Sequence, residues 1–131
     1  MSGENLWGEI ADPVGQRTPY SIAREQATIL TEITKGLLIG SLDQQQHPTV
    51  LIYNFEIKAP GLNNYKILIF TMSYPLISIY PVAIADRLNN VHSQCANEDQ
   101  FVATLKTILS SKKAKDVISA LLIQTKETRR V

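Results

Sequence analysis

The sequence predicts an α+β domain: an N-terminal helix, a four-stranded antiparallel meander and two C-terminal helices. Three observations lead there. Apolar residues recur at spacings of three and four from Ile22 to Leu37, alternate singly from Leu38 to Ala85, and return to helical spacing after Asn97. Turn-forming pairs, Pro60-Gly61 and Tyr74-Pro75, cut the alternating stretch into hairpin-sized pieces. The chain has 131 residues, which suits one domain that buries roughly two thirds of its unfolded surface.

Residues 1–17 read as an irregular arm, because Gly3, Gly8, Pro13 and Gly15 interrupt any period. Leu6, Trp7 and Ile10 are its apolar members, and a tail with a tryptophan packs on something, either its own core or a partner subunit. The domain proper spans 18–124. Thr18 suits an N-cap and Pro19 the first helical turn, where a missing N–H costs nothing. Ile22, Gln26, Ile29, Leu30, Ile33 and Leu37 make the expected inward stripe, and Gly36 stops the helix. Leu38 to Leu42 is the first strand and Asp43 to Pro48 a turn. Thr49 to Lys58 is the clearest strand, followed by Tyr65 to Ser73 and Ile77 to Ala85.

A loop centred between Gly61 and Leu62 sets Phe55 opposite Leu68, Tyr53 opposite Phe70 and Leu51 opposite Met72. Phe70 then meets Tyr80, and Pro81, which has no N–H to donate, marks strand four as an edge. Asp86 to Ala96 reads as a polar loop. Asn97 caps the second helix with Gln100 as capping-box partner, and Phe101, Val102, Leu105, Ile108 and Leu109 form its stripe. After a break at 110–112, the third helix turns Ala114, Val117, Ile118, Leu121 and Leu122 inward. The polar residues 125–131 are expected to fray.

Composition excludes several functions. With 13 basic and 12 acidic residues there is no global field to recruit nucleic acid or an anionic membrane. No apolar run approaches the ~20 residues that span a bilayer. The lone Cys95 allows no internal disulfide, and with no signal peptide expected this points to a reducing cytoplasm. Lys112, Lys113 and Lys115 are read as complementing the end of the second helix, with Arg129 and Arg130 in the tail, rather than as a nucleic-acid contact. No phosphate-binding or dinucleotide-binding motif is present, so no cofactor is expected. His92-x-x-Cys95 is half a metal site, but His47 is the only other histidine, so no metal set is expected either.

One short motif carries chemistry. Glu56-Ile57-Lys58 matches the second half of the signature of PD-(D/E)xK nucleases, in which a second acid on a neighbouring strand helps hold a divalent metal. Asp43 is the candidate acid. A turn centred near Gln45-Gln46 would place it beside Pro48, roughly 26 Å from Glu56 at about 3.3 Å per residue. On that spacing the metal-dependent nuclease, using Glu56 and Lys58, is the alternative, and an exposed polar hairpin end the preferred reading.

The preferred function comes from apolar surface. Val50, Ile52, Ile67, Ile69, Ile77 and Ile79 are expected on the second face of the sheet, where burying them is worth about 10–15 kcal/mol. An antiparallel sheet usually leaves one face wet, so this face needs a cover. The expectation is a non-catalytic protein-binding, regulatory or adaptor domain that forms a homodimer through that face, with Trp7 contributing.

Overall fold

The structure, a computed structural model, describes residues 3–10 and 17–128. The sequence readings that involve Pro13, Gly15, Arg129 and Arg130 therefore lie outside the described residues. The α+β class and the helix–sheet–two-helix order hold: α1 (Pro19–Ile33), β1 (Ile39–Gln45), β2 (Val50–Ala59), a short 3-10 turn (Pro60–Leu62), β3 (Tyr65–Pro75), β4 (Val82–Asp86), β5 (Val91–Cys95), α2 (Glu98–Leu109) and α3 (Lys112–Thr128). The sheet has five strands rather than four, in the order β1-β2-β3-β4-β5, with every pairing antiparallel.

α1 starts where its sequence says. Thr18 accepts from the Ser21 N–H at 3.1 Å and Ser21 returns the bond to the Thr18 N–H at 2.9 Å, with Pro19 in the first turn. Its seating differs from expectation. Ala23, Ala27 and Leu30 are buried with Ile22, whereas Ile29 and Ile33 are exposed. Close approach decides this. A Cβ on Gly40 of β1 would lie 2.7 Å from the Ala27 backbone, so the helix can rest on β1 only through a small-residue row. Thr31 strengthens the seat by accepting from the Gly40 N–H at 3.1 Å. The neighbouring row, Ile29 and Ile33, is turned off the sheet.

The sheet register also differs. A bulge at Phe55/Glu56 leaves Ile69 as the extra residue, so Phe55 pairs with Phe70, Tyr53 with Met72 and Leu51 with Tyr74. The Phe55 and Phe70 rings stack with centroids 4.9 Å apart at the centre of the core. Phe70 then pairs with Asp86 rather than Tyr80. Pro81 lies outside the strands, and β4 is an interior strand because β5 covers it. The fifth strand falls in the stretch read as a polar loop. It is short, with an exposed Val91 and His92, as suits an edge strand that resists further pairing.

α2 carries the expected Asn97 cap, which accepts from the Gln100 N–H at 2.9 Å. Phe101, Leu105 and Ile108 are buried and Val102 is exposed. α3 continues through the residues expected to fray, as far as Thr128. Thr125 is buried against the hairpin, where a Cβ on Gly61 would meet its methyl group at 2.8 Å. The helices form one layer over one side of the sheet, with the core between.

Candidate functional site

The E-x-K motif lies on the sheet side away from the helices. β2 turns Tyr53, Phe55, Ile57 and Ala59 into the core, so Ile52, Asn54, Glu56 and Lys58 face outward. The expected separation from Asp43 is overturned. β1 runs on to Gln45, the turn is centred between Pro48 and Thr49, and Asp43 pairs with Asn54 while Ser41 pairs with Glu56. Asp43 is therefore the diagonal cross-strand neighbour of Glu56 on the same face. The two carboxyls interact directly. A hydrogen bond with Asp43 is the main cause that raises the Glu56 pKa, burial and the Asp43 charge add to it, and Lys66 opposes it. Two carboxyls sharing one proton is the ordinary outcome when like charges meet.

The surroundings are polar. Lys58 pairs with Lys66 across the strands. Thr71 donates to the Asn54 side chain at 2.8 Å, and Arg87 Nε donates to Thr71 at 3.3 Å. A shallow concavity of about 480 Å³ lies beyond, bordered by Thr71, Arg87 and His92. Among the described residues, no group of three or more His, Cys, Asp or Glu side chains converges to hold a metal ion. His92 and Cys95 point to opposite faces of β5: Cys95 is buried opposite Val82, and His92 pairs with Ala85 on the outer side. No histidine–cysteine pair forms there. His47 accepts from the Thr49 N–H at 3.2 Å in the β1–β2 turn.

The six apolar residues expected on one outer face do not share one. Val50 and Ile52 face outward, among Asn54, Glu56 and Thr71. The bulge turns Ile69 inward, where it is 1% exposed, and Ile67 faces the helix layer opposite Ile57. Ile77 lies in the turn after β3, fully in solvent, and Ile79 follows it outside any strand. Trp7 is exposed on the arm, where its N–H donates to the Asn5 side chain.

The open apolar surface lies elsewhere, in the helix layer. Because α1 rests on its alanines, a gap remains between it and the other two helices. One part of about 380 Å³ runs between α1 and α2 past Val102 and Leu105, with Lys106 and Lys115 on its wall. A second part of about 150 Å³ lies between α1 and α3, walled by Ile29, Ile33 and Ile118 and floored by Phe55, Ile57 and Ile69. The two parts share Gln26 and Leu109, so they form one groove along α1. Sequence spacing missed it because it set Ile29 and Ile33 in the inward stripe, whereas Ala23 and Ala27 are buried in their place. The Gly40–Ala27 approach was the available signal.

Comparison of the chain with protein-family models, with curated proteins and with solved structures finds no match. Among the described residues, no helix is long and apolar enough to cross a membrane.

Proposed function

We propose that this chain is a non-catalytic protein-binding domain of regulatory or adaptor type that self-associates in the cytoplasm. The observation that carries this reading is the apolar groove beside α1, left open while the arm residues Leu6, Trp7 and Ile10 are also left exposed. Apolar surface of this kind marks association rather than chemistry. The association surface is thereby assigned to the helix layer instead of the outer sheet face, whose remaining aliphatics sit among polar groups. Light scattering over a concentration series tests the reading with two variants. Ile33→Asp should hold the mass at one chain where the wild type reaches two, and Ile52→Lys on the sheet face should not. Loss of the dimer in Ile52→Lys alone would move the interface to the sheet. A wild type that stays at one chain throughout removes self-association.

A second reading, the metal-dependent nuclease, gains from the Asp43–Glu56 pairing, since both carboxyls and Lys58 share one face. Against it, no third carboxylate or histidine joins the pair among the described residues. A bound divalent metal would raise the melting temperature, increasingly as its concentration exceeds its dissociation constant. Magnesium or manganese should therefore stabilise the wild type and not Glu56→Ala, and only the wild type should cleave DNA or RNA.

A further inference from the structure

We infer that the groove beside α1 is filled by the N-terminal arm of a second copy of this chain, exchanged reciprocally across a two-fold axis. The inference rests on the self-association reading and names the segment that performs it. Each copy carries both halves of an unmet contact. Trp7 is 83% exposed, and Leu6 and Ile10 stand out beside it. The groove presents Ile33, itself 72% exposed, together with Ile29 and Val102. The charges match as well: the arm bears Glu4 and Glu9, and the groove wall bears Lys106 and Lys115. Opposite charges at the edge of an apolar contact orient the pair and speed its encounter.

The chain's own arm leaves the groove open, with Trp7 in solvent, and the arm of a second copy can enter it. Arg17, at the root of the arm, lies 3.6 Å from Glu25 and 3.9 Å from Glu98, beside the N-termini of α1 and α2. The Ile29–Ile33 part of the groove is at the other end of α1, about 22 Å along a helix of 15 residues. A two-fold axis across α1 sets two copies antiparallel and brings the root of each arm beside the other copy's Ile33. The segment from Trp7 to Thr18 spans up to ~36 Å at about 3.3 Å per residue, enough to cross to a second molecule, and the emission and mass measured together separate that crossing from a return to its own groove.

Trp7 is the only tryptophan, so its fluorescence reports this contact alone. The experiment follows the emission of the full chain and its mass by light scattering over the same concentrations. The inference expects the emission to move to shorter wavelength as the mass rises from one chain to two. Trp7→Ala should weaken the dimer by about 100-fold or more, because two buried indoles leave it together. Ile33→Asp should keep the emission solvent-like. A doubled mass with solvent-like emission would overturn the arm exchange and leave self-association standing. Emission that is short-wavelength at every concentration, with one-chain mass, would assign the arm to its own groove and also overturn it. Failure of the mass to double would remove the underlying reading as well.

Discussion

Glu56→Gln should make the protein more stable at neutral pH. Glu56 and Asp43 are diagonal neighbours on the outer sheet face, and their mutual hydrogen bond needs a proton. As pH rises and Glu56 loses its proton, that bond is lost and the Asp43 charge opposes the new one. Like charges on cross-strand neighbours cost roughly 0.2–1 kcal/mol, and the lower part of that range applies because Asp43 is exposed and salt screens the pair. A domain of this size shifts by about 3–5 °C per kcal/mol, so the variant should melt about 1–3 °C higher at pH 7. The sign follows from linkage. The Glu56 pKa is raised in the folded state, so its contribution is fully present below the ordinary Glu value and is lost as pH rises through the raised value. The advantage of Glu56→Gln should therefore vanish in acid and grow towards neutrality. Melting curves at a series of pH values, with and without magnesium, read all of this. A variant less stable than wild type at pH 7, or a gap that ignores pH, would refute the shared proton. Magnesium that stabilises the wild type alone would show the pair to be a metal site.

Three further outcomes test the packing. Gly40→Ala places a methyl against the Ala27 backbone and should cost about 1–3 kcal/mol in a denaturant melt; an unchanged midpoint would mean that α1 does not rest on β1 as described. Ile69→Lys should unfold the domain by burying a charge under the helices, whereas Ile52→Lys should keep its circular dichroism and melting temperature, and equal effects would contradict the bulge. Tyr74 stacks beside Tyr53, with ring centroids 6.2 Å apart, and burial pushes its pKa up to about 12. The unfolded phenol ionises near 10, so stability should fall as pH rises from about 10 towards 12, and Tyr74→Phe should flatten that fall in alkaline melts.

The class and order of the fold were legible because each rests on local chemistry. Thr18-Pro19, Pro60-Gly61 and Asn97 act through their own backbone geometry, and the apolar periods change at the right places. What was not legible depended on long-range pairing. β5 carries no apolar alternation, since an edge strand has little to bury, and its partner is fixed only by β4. The bulge at Ile69 arises where two strands must both twist and keep Phe55 against Phe70, a demand that neither strand states alone.

The same limit explains the site. Period-two counting assigns Ile67 and Ile69 to one face with Ile52, and a single extra residue reverses that assignment for everything between the bulge and the hairpin. It likewise set Asp43 far from Glu56, because moving the centre of a turn by three residues changes every cross-strand partner. A helix permits a further ambiguity. α1 has two adjacent apolar rows, and only one can lie on the sheet. The small row wins because Gly40 lets the backbones approach, which leaves the larger isoleucines facing solvent. A chain that spends its alanines on the core and leaves Ile29 and Ile33 at the surface has an apolar surface without an internal purpose. The exposed Trp7 meets the same need from the other side, and a second molecule satisfies both at once.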